Sequence, residues 1–319
     1  MGKFLSRRSL YWDDFERRIN ETVIYLAENK KPPIRRVSVF ITERCNFKCK
    51  YCNGVNLKDG KTLSEQKFRK IVKDYGDSAI IHITGGEPSV VPWLYPFLEE
   101  NGSKYRFHLN TNAFVLPPAK HVKRLKLSLD HFDAVKWNEI VGVKAFDRVV
   151  KNIKIASQQT ITSLTYTLTK ENYKNVVEFA RFSNKEFPHL YAQFFSTYKG
   201  NNPVYAFTNE DAEDLFLNVL PTLKKELTTE SLALLEETLD EKRRLFQGVR
   251  FIENSGNVCY LSMTEKVFSP EGKEYTCSHL YRDGVFLSEP GMHEKCKYGC
   301  NRRLVKFNEE VQQKLKEKR

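Results

Sequence analysis

The chain has 319 residues, 40% hydrophobic and 29% charged, a balance that excludes a disordered chain, and no stretch approaches the ~18 apolar residues of a membrane span. Lys and Arg number 52 against 40 Asp and Glu, and the net charge of +12 favours an anionic partner. The seven cysteines fall as a trio and a distant quartet; with no apolar signal core in the opening residues, they point to metal ligands in a reducing cytoplasm and away from disulfides.

Residues 10–29 read as an amphipathic helix ended by Lys30-Lys31-Pro32-Pro33. From residue 36 to about 196, β-rich runs at 37–42, 79–84, 106–109, 125–129, 161–168 and 190–196 alternate with helical stretches such as 64–75, 146–157 and 175–184. That alternation is the signature of βαβ units and a parallel sheet. Six such units predict an α/β fold, an open partial (βα)6 TIM-like barrel, whose site would gather at the carboxyl ends of its strands. Thr208 with Asp211 then makes a capping-box-like start to an acidic helical segment interrupted at Pro221. Residues 208–247 hold ten acids and five bases, so the rest of the chain carries about +17. No basic run is interleaved with aromatics as a nucleic-acid groove requires. The expected divisions are a helical extension at 1–35, a core at 36–207, an acidic connector at 208–247 and a small hairpin-and-helix domain at 248–319.

Directly after the first strand pattern, Cys45, Cys49 and Cys52 form a Cys-x3-Cys-x2-Cys loop in which three thiolates can converge on a soft metal centre. Three is informative, because a four-iron cluster on three protein thiolates keeps one iron open for a further ligand. A structural zinc knuckle is the alternative, although no fourth Cys or His lies within its usual short reach. The second strand pattern ends in Thr84-Gly85-Gly86-Glu87-Pro88, where two glycines let backbone approach a ligand and Glu87 offers an acceptor to an ammonium group.

Here the sequence resembles the radical S-adenosylmethionine (SAM) superfamily. The three-cysteine loop, with Tyr51 just before its last cysteine, is similar to that family's cluster loop, and Gly85-Gly86-Glu87-Pro88 to its methionine-binding turn. After the third strand pattern, Asn110-Thr111-Asn112-Ala113 resembles the family's Thr-Asn-Gly segment with alanine in place of the last glycine. After the fourth, Ser128-Leu129-Asp130 resembles its Ser-Leu-Asp segment. The resemblance implies a [4Fe-4S] cluster on Cys45, Cys49 and Cys52 whose open iron takes the amino and carboxylate groups of SAM. Tyr51 and Gly85 to Pro88 would frame the cofactor, with Glu87 and the Gly85-Gly86 backbone on its ammonium and Asn112 and Ser128 near its carboxylate or ribose. It also implies reductive cleavage of SAM to a 5′-deoxyadenosyl radical, hydrogen abstraction from substrate, and a low-potential electron donor such as flavodoxin or ferredoxin.

The quartet is Cys259, Cys277, Cys296 and Cys300. Strand patterns at 258–262 and 267–270, followed by Glu271-Gly272, predict a β-hairpin that brings Cys259 and Cys277 together, with Cys296 and Cys300 arriving from a later loop. Four thiolates suit structural zinc. The Cys-x12-Gly-x4-Cys spacing, however, resembles the opening of the superfamily's SPASM and twitch domains, which implies a second, auxiliary [4Fe-4S] cluster in a twitch-like C-terminal domain. A fully ligated cluster serves electron transfer better than substrate binding, which favours a net oxidation, a dehydrogenation or crosslink, of a ribosomally made peptide. Oxidation or epimerisation of a sugar, aminoglycoside or nucleotide-like metabolite is the alternative. A zinc-stabilised nucleic-acid-binding protein would use the same cysteines, but the Gly-Gly-Glu-Pro turn argues against it. Tyr198 and Lys199, after the sixth strand pattern, are the candidates for acid, base or hydrogen-atom donor, and His82 and His108 read as core or rim residues.

Overall fold

The computed structural model describes residues 10–52, 60–198, 200, 202–246, 258–275, 277, 281 and 302–318. Six strands, β1 (Arg36–Phe40), β2 (Ile80–Thr84), β3 (Phe107–Thr111), β4 (Arg124–Ser128), β5 (Ile161–Leu168) and β6 (Ala192–Thr197), pair in parallel and in chain order. Helices α2 (Glu65–Tyr75), α3 (Leu94–Asn101), α4 (Ala134–Val141), α5 (Phe146–Ser157) and α6 (Val176–Glu186) supply most of the crossovers. The sheet does not close, so the expected open (βα)6 barrel is the architecture of the chain.

The strand sequences explain both faces of the sheet. Ile81, Ile83, Phe107, Leu109, Leu125 and Leu127 are fully buried and join one core with Phe68 and Leu94 of the surrounding helices; burying each such side chain contributes about 1.5–3 kcal/mol. Among the alternate positions of β2, β3 and β4, His82, His108, Asn110, Arg124 and Lys126 are half-buried and polar. A parallel sheet covered on both sides would read as continuous apolar runs. Here the polar alternates line a lumen.

The C-terminal part departs from expectation in its strands. Residues 258–262 are not a strand: Leu261–Thr264 form a short helix, α10, stabilised by Ser262 Oγ donating to the Cys259 carbonyl at 2.6 Å and Thr264 Oγ1 to that of Leu261 at 3.2 Å. Hydroxyls that bond back to nearby carbonyls favour a turn over an extended chain. The hairpin instead joins β7 (Glu265–Phe268) to β8 (Glu274–Tyr275) around Gly272, whose φ is +80°. Strand β7 also pairs in parallel with β1, which makes the hairpin continuous with the barrel sheet.

Helix α1 (Leu10–Ala27) packs its Phe15, Ile19 and Val23 against Leu261 and against Phe307 and Val311 of α11 (Arg302–Glu317). Buried Arg18 of α1 bridges to Glu265 at 2.7 Å. Between barrel and hairpin, Thr208 and Asp211 form the expected capping box on α7 (Asn209–Asp214). A wide π turn, Leu215–Val219, precedes α8 (Leu220–Glu226), with Pro221 in its first turn, and α9 (Thr229–Phe246) follows.

Candidate active site

The three-cysteine loop leaves the carboxyl end of β1 and is held before it reaches its thiols. Phe47, nearly fully buried, meets the rings of Phe114 and Trp137 edge to face at 5.9 and 5.6 Å. The amides of Lys48 and Lys50 donate to the carbonyls of Val141 and Ile140 at 2.8 and 3.0 Å, which satisfies acceptors left over at the end of α4. Burial pushes the Cys45 thiol up to about 11 and the Cys49 thiol higher still, and the neighbouring thiols add to both rises. Cys45 and Cys49 resist ionisation there without a compensating cation, which is the environment a cationic iron cluster would relieve. Among the described residues, no three His, Cys, Asp or Glu side chains gather tightly enough to hold a single ion. A multi-iron cluster asks for a wider arrangement, since each thiolate takes its own iron.

The glycine turn lies directly against this loop. A Cβ on Gly85, whose φ is +137°, would sit 2.5 Å from the Thr42 carbonyl oxygen, and one on Gly86 2.2 Å from that of Arg44, so no other residue fits either position. The amides of Gly86 and Glu87 donate to those same carbonyls at 2.6 and 2.8 Å. With its amides engaged, the turn presents carbonyl oxygen, the polarity an ammonium requires. Glu87 is 1% exposed. Its carboxylate accepts from Thr111 Oγ1 at 2.6 Å, the Ser89 amide at 2.9 Å and the Asn112 amide at 2.7 Å. Burial outweighs these donors and raises its pKa. Glu87 therefore ties the end of β2 to the end of β3, and Pro88, also buried, begins the short helical turn that follows.

Asn112 donates its side-chain amide to Asn46 Oδ1 at 2.7 Å and accepts the Phe114 amide at 3.0 Å. Ala113, standing where the resembled segment has glycine, adopts φ +58°, the left-handed conformation a glycine would take freely. Ser128 is exposed at the end of β4. Two residues on, buried Asp130 accepts the Thr167 amide at 2.7 Å and the Tyr51 hydroxyl. Burial, followed by the charge of Asp130, raises the Tyr51 pKa. The Tyr51 ring meets Tyr205 at 6.4 Å, and Tyr205 meets Tyr198 at 5.8 Å.

Cys45, Cys49, Cys52, Tyr51, Gly85, Gly86, Glu87, Pro88, Asn112, Ser128 and Tyr198 thus all lie at one rim, on loops or strand ends at the carboxyl side of the sheet. Cys259 and Cys277 do not. The β7–β8 register returns Cys277 toward the start of β7, where α10 and Cys259 lie, at the opposite end of the barrel from the three-cysteine loop. Lys199, Cys296 and Cys300 lie outside the described residues. Sequence reasoning assigned no role to Asn46, Thr111, Asp130 or Tyr205, since each acts through a partner distant in the chain.

Fold and rim together define an open-barrel domain with a three-cysteine loop at the carboxyl ends of its strands. Residues 39–183 match the radical SAM superfamily, so this stretch of the chain is a radical SAM domain. A protein of Sulfolobus acidocaldarius named "Probable GTP 3′,8-cyclase" is 29% identical over 160 residues, covering 46% of this chain and 51% of that one. A protein of the same name from Methanococcus maripaludis is 32% identical over 146 residues, covering 41% and 48%. The chain spans about half the length of these curated relatives. Among solved structures, Streptococcus suis SuiB bound to S-adenosylmethionine superposes with a TM-score of 0.58 at 17% identity, covering 82% of this chain and 64% of SuiB. Native anSMEcpe with bound AdoMet gives 0.57 at 15%, covering 89% and 83%. No described helix is long and apolar enough to cross a membrane.

Proposed function

We propose that this protein is a radical SAM oxidoreductase acting on a small, anionic, nucleotide-like metabolite, with a second cluster on Cys259, Cys277, Cys296 and Cys300 in a twitch-like C-terminal domain. The observation that carries the radical chemistry is the single rim on which the cysteine loop, the Gly85-Gly86 turn, Asn112 and Asp130 meet. When bound and reduced, SAM and its cluster supply the 5′-deoxyadenosyl radical. The protein's own residues do the rest. Cys45, Cys49 and Cys52 hold the cluster, and the carbonyls of Gly85 and Gly86, backed by the Glu87 carboxylate, take the ammonium of SAM. Asn112 and Ser128 orient its carboxylate and ribose, and Phe47 and Trp137 close the loop against water. The substrate class is supported by the relatives named as GTP cyclases and by the cationic lumen beneath the rim.

Oxidative modification of a ribosomally made peptide, which the sequence favours, is the second reading. Its support is that solved forms of the similar folds hold peptides: SuiB with precursor peptide SuiA, and anSMEcpe with the Cp18Cys peptide. An electron donor such as flavodoxin or ferredoxin belongs to both readings.

The test is anaerobic purification. The protein should be brown, absorb near ~400 nm, contain about eight irons and release 5′-deoxyadenosine from SAM under reduction. Joint replacement of Cys45, Cys49 and Cys52 by alanine should abolish that release and leave about half the iron. A colourless protein with stoichiometric zinc would end the proposal.

A further inference from the structure

We infer that the barrel lumen beneath the rim is an oxyanion site, built on Arg36, Arg124 and Lys126, that holds the phosphate of a small substrate whose reacting end lies at Ser128. The inference rests on the proposed radical chemistry only for where the reacting end lies.

Strand register places the groups. Ser38, His82, His108 and Arg124 stand opposite one another across β1 to β4, and Asn110 and Lys126 form the next tier up. The residues between them within each strand face the helices and are fully buried, so this set faces the lumen; Ser38 is buried and the others are half-buried. Arg36 donates to His82 Nδ1 at 2.7 Å, which makes that nitrogen an acceptor and puts the ring proton on Nε2. Lys126 Nζ lies 3.8 Å from the centre of the Phe194 ring, which brings its ammonium over the inner face of β6.

Cations act on both histidines of the lumen. Burial is the main cause that lowers the pKa of both histidines. Arg36, then His108 and Lys126, add to the lowering at His82, which a hydrogen bond with Asn110 opposes, and Arg124, Arg36 and Arg106 add to it at His108. Both imidazoles are therefore neutral donors among guanidinium and ammonium groups, a set suited to phosphate oxygens in low dielectric.

Geometry also gives the size of the ligand. At about 3.3 Å per strand residue, Lys126 lies roughly 7 Å and Arg124 roughly 13 Å below Ser128. A phosphate held there leaves room for one sugar and base, or a molecule of similar length, to reach the rim. A peptide chain entering from the rim makes no such use of cations at the floor.

The experiment is equilibrium dialysis on the anaerobically reconstituted, SAM-loaded, unreduced protein, with GTP, inorganic tripolyphosphate, guanosine and an acidic hexapeptide as probes. GTP and tripolyphosphate should bind and compete with each other, and guanosine should bind at least about tenfold more weakly. Lys126→Gln and Arg124→Gln should each weaken GTP by about tenfold or more, the loss of one charge-assisted hydrogen bond. Lys126→Arg should retain the affinity, as should Lys185→Gln on the exposed face of α6, and circular dichroism checks that each variant is folded. Guanosine binding as tightly as GTP would overturn the inference, as would undiminished GTP affinity in Lys126→Gln or a hexapeptide that outcompetes GTP. Because no reductant is present, failure here is separable from failure of the radical reading, which is judged by 5′-deoxyadenosine release alone.

Discussion

The side-chain amide of Asn112 donates to Asn46 Oδ1 at 2.7 Å, joining the end of β3 to the middle of the three-cysteine loop. The backbone amide of the same residue donates to Glu87, so a single asparagine links both the glycine turn and the cluster loop to β3. Asn112→Ala removes the bond to Asn46 and the cap on the Phe114 amide, which should cost about 1–3 kcal/mol of stability. SAM affinity should fall at least about tenfold, the equivalent of 1.4 kcal/mol, with iron content retained. Dialysis of labelled SAM and an iron assay measure the two; unchanged SAM affinity would refute a role for this link in the site.

Ala113 takes a left-handed backbone at φ +58° while fully buried. Thr111 Oγ1 accepts its amide at 3.2 Å and Asn152 donates to its carbonyl at 2.8 Å. The conformation costs alanine about 1–2 kcal/mol, close to what glycine loses in unfolded-chain entropy. Ala113→Gly should therefore melt within a few degrees of wild type. Ala113→Val, with a branched Cβ in the same conformation, should lose more than about 2 kcal/mol. Thermal unfolding of the two variants decides this, and a Val variant as stable as the Gly variant would contradict the backbone reading.

Much of the barrel is legible in the sequence, because parallel strands and helices carry their periodicity locally: α5 at 146–157 and β5 at 161–168 match their patterns residue for residue. The rim motifs are legible for the same reason, each following a strand. What is not legible is pairing across distance. Nothing near Asn46 announces Asn112, and nothing near Tyr51 announces Asp130, because a hydrogen bond between loops has no period. The segment 258–262 misleads because its alternation suits a strand, whereas the hydroxyls of Ser262 and Thr264 find carbonyls one helical turn back. The alternation around His82 and His108 likewise distinguishes two faces without saying that the polar one is a lumen.

Gly86→Ala tests how closely the glycine turn fits the cysteine loop. The added Cβ would sit 2.2 Å from the Arg44 carbonyl oxygen, too close for any adjustment short of moving the backbone. Since Arg44 precedes Cys45, the turn and the loop should be displaced together. SAM cleavage should fall by about a hundredfold or more, the effect of a misplacement near 1 Å, and the cluster should leave faster to a chelator. Activity within threefold of wild type would show that the turn does not depend on this contact.

His108 bears on pH dependence. Burial, with Arg124, Arg36 and Arg106 adding, lowers its pKa to about 2 from an ordinary value of 6.5. The folded protein holds the ring neutral, while the unfolded chain takes up a proton below 6.5. The stability this group contributes is complete above that pH and is lost progressively as pH falls from 6.5 toward 2, at a slope of at most about 1.4 kcal/mol per unit. His108→Gln has no such proton to gain. The stability of wild type relative to the variant should therefore fall from pH 7 to pH 4, and a difference constant with pH would show that the folded protein takes up the ring proton as readily as the unfolded chain.

The Tyr51 hydroxyl meets Asp130 at the far end of the cluster loop: Tyr51 immediately precedes Cys52, and Asp130 is fixed to β5 through the Thr167 amide at 2.7 Å. Asp130 is buried with its pKa raised by desolvation, and its charge raises the Cys49 thiol in turn. Tyr51→Phe leaves that carboxylate one donor short, which should cost about 1–3 kcal/mol and loosen the segment carrying Cys52. Asp130→Asn retains an acceptor for Thr167 and a partner for the Tyr51 hydroxyl while removing a buried charge, and should match or exceed wild-type stability. Asp130→Ala loses both bonds and should be the least stable of the three. Under anaerobic conditions, iron release to a chelator should be fastest in Asp130→Ala, intermediate in Tyr51→Phe and slowest in Asp130→Asn and wild type. If Asp130→Asn released iron as fast as Asp130→Ala, the charge itself would matter to the cluster loop; if Tyr51→Phe matched wild type, the hydroxyl bond would not be what holds Cys52 in place.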